Sequence, residues 1–156
     1  MNYLRQVYSS DIPYLASNLR DQDVREVEAA GKTPLEAITT GASSLYVRTL
    51  LEPERGRPVG IFGADWNDAP IASIWMLGTK EIEKYPMTFL RNCRSAIEEV
   101  HKVSGKDALW NYTFADNELH HRWLRWCGAI FLSKTPRGVN GEYFYEFIIM
   151  RKHLNV

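Results

Sequence analysis

Long apolar runs are missing from this chain: no stretch approaches the ~20 consecutive apolar residues that a membrane-crossing helix needs. The first residues, MNYLRQVYSSDIPYL, hold no basic start followed by an apolar core, so no secretory leader is expected. The expected location is cytoplasm, or the interior of a particle assembled there. An excess of one charge is missing too. Nineteen Lys and Arg balance nineteen Asp and Glu, which removes any global field toward nucleic acid or an anionic membrane. Cysteine is scarce. Cys93 and Cys127 lie far apart and outside any C-x-x-C pair, and are expected as buried thiols on apolar helix faces, not as a disulfide or metal site. The histidines form no ligand cluster with them, so no metal is expected. H-E-x-x-H, G-x-S-x-G and the phosphate loop G-x4-G-K-[ST] are all absent, which removes zinc-protease, serine-hydrolase and P-loop chemistry.

What is present is a globular composition. Hydrophobic residues make up 45%, with five Trp, eight Tyr and six Phe, too apolar for a disordered chain. A length of 156 residues suits one domain, expected to span 1–156. Residues 2–8 alternate weakly and suggest a first strand. Ser10 or Asp11 then caps a helix with Pro13 in its first turn and Leu15 and Leu19 buried. A second helix starts near Asp23, with Val24 and Val27 inward and Gly31 as its stop. Thr33-Pro34-Leu35-Glu36 is a capping box with Pro at the first helical position.

Three strands follow, 44–51, 58–64 and 70–77, joined by two tight turns that imply an antiparallel meander. From Pro86 to Val103 the period turns helical, with Phe89, Leu90, Cys93, Ala96, Ile97 and Val100 on one face and Gly105 at the end. Residues 107–115 are rich in β-formers and aromatics, as a buried strand should be. Asn117 then caps a short helix whose apolar face is Leu119, Trp123 and Trp126, with Gly128 as left-handed terminator. A hairpin, AIFLSKT–PRGVNG–EYFYEFIIM, closes the chain. Its aromatics Tyr143, Phe144, Tyr145 and Phe147 are expected in the core, the other option being a contact surface.

The pattern N-x5-[aromatic]-x4-G-[A/F] after a buried strand, in DALWNYTFADNELHHRWLRWCGAIF (107–131), resembles the closing segment of the GNAT acyltransferase fold. The order β–α–α–α–β–β–β–α–β–α–β–β matches that fold over nearly the full length. The expected class is therefore mixed α/β, a central and mostly antiparallel sheet flanked by helices. Within it, IWMLGT (74–79), FLRNCRSAIEEV (89–100), LWNYTFADNELHHRWLRWCGA (109–129) and LRDQDVREVEAAG (19–31) resemble the internal virion protein A family of short-tailed bacteriophages. That resemblance implies a virion or accessory protein with other phage or host proteins as partners.

A working GNAT enzyme transfers an acyl group from coenzyme A to an amine, and the resemblance implies three needs. The first is a Gly-rich cradle for the diphosphate, Q/R-x-x-G-x-G/A. The matching stretch, LGTKEIEKYPMTF (77–89), has Gly78 alone, and Glu81 and Glu83 add negative charge. Lys80, Lys84, Arg91 and Arg94 could grip phosphate instead, but read more simply as solvated charges. The second need is a backbone N–H for the thioester carbonyl, expected around Trp75, Met76 and Leu77. The third is proton transfer. The position where the family often carries Tyr is Leu124, which has no proton to give. Tyr112 is a possible substitute. His120 and His121 are the other candidates, of which one at most faces a given cleft because neighbours on a helix diverge by about 100°. Asp116 and Asn117 form the turn and cap, and Asn117 would touch the pantetheine arm if coenzyme A binds. Two departures from the chemistry favour a phage protein without standard acetyl transfer and without cofactor. The alternative is an active acetyl-coenzyme A-dependent N-acetyltransferase, and a weaker third idea is a host-takeover binding protein.

Overall fold

The computed structural model describes residues 3–152. Residue 2 of the expected first strand lies outside that range, and the strand itself is β1, Leu4–Arg5. Three short helices follow: α1 (Asp11–Ser17), α2 (Asp21–Ala29) and α3 (Pro34–Gly41). The capping box at α3 is fully formed. Thr33 Oγ1 accepts from Glu36 N at 3.1 Å, and Glu36 Oε1 accepts from Thr33 N at 3.1 Å, an arrangement worth about 1 kcal/mol. At α1 neither candidate caps by side chain. Asp11 is instead buried, accepting from Arg5, Tyr8 N and Thr49, so it staples the helix start to β1 and the sheet.

The meander is β2 (Tyr46–Leu51), β3 (Pro58–Trp66) and β4 (Ile71–Gly78), antiparallel throughout. Its first turn closes on one carboxylate: Glu52 accepts from the backbone N–H groups of Glu54, Arg55 and Arg57. After a 3-10 turn over Lys80–Lys84, α4 (Pro86–Ser104) crosses over to β5 (Ala108–Phe114), which runs parallel to β4. Then come α5 (Glu118–Trp126), β6 (Ile130–Pro136) and β7 (Tyr143–Met150). The seven strands lie in the order β1-β2-β3-β4-β5-β7-β6, so β7 inserts between β5 and β6.

Strand alternation sends neighbouring side chains to opposite faces. Ile61 and Leu77 pack with Leu15, Val27 and Ile38 under α1–α3. Phe62 and Ile74 pack with Phe89, Ile97 and Trp123 under α4 and α5. In the hairpin, Phe144 and Phe147 are buried, while Tyr143 is exposed. No helix among the described residues is long and apolar enough to cross a membrane.

Two expectations for α5 fail. Trp126 is 41% exposed and lies flat under Arg94, whose guanidinium carbon sits 3.6 Å from the ring centroid; the buried face is His120, His121, Trp123 and Cys127. Asn117 occupies the cap position but makes no side-chain cap bond, because its amide is committed elsewhere. The C-terminal reading holds: Gly128 has φ 90°, and Ala129 N and Gly128 N donate to Leu124 O and Arg125 O, a Schellman closure.

Candidate active site

The parallel strands β4 and β5 pair only at Ile71–Ala108, Ala72–Leu109 and Ser73–Trp110, then part. Asn111 Nδ2 makes the last bridge, donating to Ile74 O at 2.7 Å. Beyond it a cavity of about 600 Å³ passes through the sheet, lined by β4, β5, α2, α4 and α5. Backbone parity identifies which β4 groups face it. Ile74 O is bound from the β5 side, and Gly78 N and Gly78 O are bound there by Asp23 and Arg20 N. N–H groups alternate along a strand, so the residue between them, Met76, turns its N–H to the open edge.

The side chains of the expected run 75–77 do other work. Trp75 spans the α3 side, its Nε1 donating to Ser44 Oγ. A Cβ on either Gly41 or Gly63 would sit 2.5 Å from its indole, so both glycines are needed for that indole to lie flat on the sheet. Leu77 is core.

A buried ionic network borders the cavity. Asp23, wholly enclosed on α2, accepts Gly78 N at 2.7 Å, Asn117 Nδ2 at 2.8 Å and Arg20 Nη1 at 3.1 Å. His120 Nε2 lies 3.2 Å from the same carboxylate. Arg20 also reaches Asn117 Oδ1 and Glu83, which explains why Asn117 is unavailable as a cap. One turn along α2, Glu26 Oε1 accepts from Phe114 N at 2.7 Å and from Thr113 Oγ1. Its other oxygen, Oε2, faces His120 Nδ1 at 3.8 Å. Burial, joined by repulsion from Asp23, pushes the Glu26 carboxyl up despite the nearby imidazole. Burial works against charge on His120, but Asp23 and then Glu26 outweigh it and its pKa is raised. Asp23 is likewise disfavoured by burial, yet His120, Arg20 and Gly78 N hold its carboxyl low.

Asp23, Glu26 and His120 have the composition of a metal site, but a cation does not fit. Asp23 already accepts three hydrogen bonds, and the Arg20 guanidinium stands where a second positive charge would be repelled.

Of the residues proposed from sequence, His120, Tyr112, Trp75, Met76 and Leu77 all line the cavity. Leu124 lines it too, and has no proton to give. Asn117 and Lys80 do not line it. Lys80 is exposed and 3.9 Å from Asp21, and Lys84 pairs with Glu81. His121 faces away from the cavity, its Nε2 2.9 Å from Phe114 O and its ring against Phe131 and Tyr145; burial lowers its pKa. Arg20, Asp23 and Glu26 were missed. Their trace in the sequence is an acid pair at i, i+3 on the valine-bearing face of α2, where carboxylates are out of place unless partnered.

No family model matches the chain, and no curated protein matches it by sequence. Solved structures do match. A GNAT-family acetyltransferase from Bacillus anthracis superposes with a TM-score of 0.69 at 11% identity, over 94% of this chain and 93% of that one. The chain has the GNAT acetyltransferase fold. AAC(6')-Ib, solved with ribostamycin and coenzyme A, gives 0.68 at 12% identity over 95% and 92%. Ribosomal-protein-S5-alanine acetyltransferase from Vibrio fischeri gives 0.66 at 13% over 100% and 97%. At such identities the likeness establishes the fold alone.

Coenzyme A can be tested against the residues present. The opening and the Met76 N–H fit its acyl-thioester end. The stretch 77–89 does not fit its diphosphate end, because the amides of Gly78, Thr79, Lys80, Ile82, Tyr85 and Phe89 all donate within the protein. Across from it, α4 and α5 are joined by Phe89 on Trp123, ring centroids 4.1 Å apart, and by Trp126 Nε1 donating to Leu90 O.

Proposed function

We propose that this chain is an N-acyltransferase that takes an acyl group from a thioester such as acetyl-coenzyme A and transfers it in the opening between β4 and β5. The observation that carries the reading is the cavity, which brings a free-edge N–H at Met76 and the Glu26–His120 pair to one space. A thioester supplies an activated carbonyl when bound. The Met76 N–H offers that carbonyl oxygen a donor. Glu26 Oε2 is the proton acceptor for the amine: its other oxygen is anchored to β5, and a raised carboxyl is better matched to neutral pH. His120, drawn toward the protonated form by Asp23, faces Glu26 Oε2 at 3.8 Å and favours its charged form. Tyr112 is the candidate donor to the departing thiolate.

Calorimetric titration with acetyl-coenzyme A, free coenzyme A and S-acetylpantetheine tests this. Micromolar, stoichiometric binding of acetyl-coenzyme A is expected, with acetylpantetheine within about tenfold (~1.4 kcal/mol) because the diphosphate has no backbone cradle. No binding at millimolar donor overturns the reading.

The engaged amides of Gly78, Thr79, Lys80, Ile82 and Tyr85 count against a standard diphosphate grip and keep a second reading, a GNAT-fold phage accessory protein without acetyl transfer, held in the virion interior or host cytoplasm by virion or host partners. Donor binding followed by amine acylation would remove it.

A further inference from the structure

We propose that Cys93 and Cys127 form a redox-modification site, in which a hydroperoxide converts the two thiols to a disulfide that ties α4 to the end of α5 and braces one wall of the cavity. This goes beyond the transferase reading and does not depend on it. The sequence separation of 34 residues hides the pairing, but the two Sγ atoms stand 2.7 Å apart. Both thiols are free, Cys127 buried and Cys93 half-buried, and both line the cavity.

The alignment is held by contacts that do not involve sulfur. Phe89 packs on Trp123, Trp126 Nε1 donates to Leu90 O, and Arg94 Nε donates to Trp126 O at 3.1 Å. These place the middle of α4 against the C-terminal turn of α5. A disulfide, at about 2.05 Å, needs an approach of about 0.7 Å.

The surroundings select the oxidant. The Cys127 neighbour and burial together raise the Cys93 pKa well above its usual value, which slows every oxidant, and the enclosure of the pair keeps bulky reagents out. A hydroperoxide is small enough for the cavity. One sulfur attacks the peroxide oxygen and becomes a sulfenic acid as the O–O bond breaks and water leaves. The second sulfur then displaces that hydroxyl as a second water. Two thiols and one hydrogen peroxide give one disulfide and two waters; the thiols lose two electrons and the peroxide gains them.

The test treats the protein with hydrogen peroxide, quenches, denatures, alkylates with iodoacetamide and weighs the intact chain. The expected product is lighter by two hydrogens, unalkylated at both cysteines, and restored by dithiothreitol. Its melting temperature should rise on the order of 10 °C, from the constraint on a loop of this length. Cys93→Ser and Cys127→Ser should show neither the protected product nor the rise. Two alkylatable thiols after peroxide, sulfinic or sulfonic acid without a disulfide, or a disulfide between two chains would each overturn the site. An internal disulfide with unchanged melting would overturn the bracing. The mass readout on the unaltered protein stands even if a serine variant fails to fold, and no arm uses an acyl donor.

Discussion

Glu26 and Glu52 are the same residue in two largely enclosed settings, with side chains 17% and 1% exposed, yet their carboxyls are driven in opposite directions. Glu52 sits in the turn between β2 and β3, where three backbone N–H groups converge on it and pull its pKa down to about 2. Glu26 receives one N–H and one hydroxyl, both on the same oxygen. Its second oxygen is left facing an imidazole at 3.8 Å and the cavity, and its pKa rises. A carboxylate with both oxygens engaged is a structural clip. One with an oxygen left over, in a cavity, can exchange a proton.

That contrast can be broken most forcefully at the residue that holds the Glu26 neighbourhood together. Asp23→Ala takes one carboxylate partner from the Arg20 guanidinium and leaves the Gly78 N–H and His120 without theirs. It should cost about 3–5 kcal/mol of stability, read by urea denaturation, as loss of one partner in a buried ionic network does. A loss under ~1 kcal/mol would mean that the network is dispensable.

Glu26→Gln sharpens the comparison instead. It should lower acyl transfer about a hundredfold or more while leaving thermal stability unchanged or higher at neutral pH. The sign follows from the shift. A carboxyl raised on folding favours the protonated native state, so it takes stability away as pH climbs from the unfolded value of 4.5 through the folded one. Transfer rates and melting scans across pH 4–8 read both effects.

Glu52→Gln should do the reverse, lowering stability with transfer untouched. In the unaltered protein the Glu52 contribution is complete above the unfolded pKa of 4.5 and disappears as pH falls toward about 2, because the depressed carboxyl binds its proton later when folded. The variant's acid-denaturation curve should lose that part of its slope; identical curves would sink the clip assignment.

The smallest effect is expected at Lys80→Ala. This side chain is 71% exposed and pairs loosely with an 86% exposed Asp21, so stability should move by less than about 0.5 kcal/mol and donor affinity not at all. A marked loss of coenzyme A binding would return Lys80 to the phosphate grip.

Most of the element order was readable because its signals are local. Thr33-Pro34-Leu35-Glu36 closes a helix start within four residues, and Gly105 and Gly128 stop helices by their own backbone freedom, at φ 72° and 90°. The misreadings at Asn117 and Trp126 share a cause. Each was assigned from its own helix, and each is governed by a partner far along the chain: Asp23 for Asn117, 94 residues away, and Arg94 with Leu90 for Trp126. Half of the candidate site was visible in the same way, as the run 75–77, Tyr112 and a histidine. The acids of α2 were not, since a carboxylate on a helix reads as surface until a buried Arg and His are seen to meet it.

By itself, then, the sequence determined where strands and helices begin and end, through caps, glycines and hydrophobic period, which act over a few residues. Tertiary structure alone decided that β4 and β5 part after three residue pairs, that Met76 turns its N–H into the gap, and that Glu26, His120 and the two thiols share one cavity. Those outcomes depend on electrostatics and packing between segments tens of residues apart, and no local pattern carries that information.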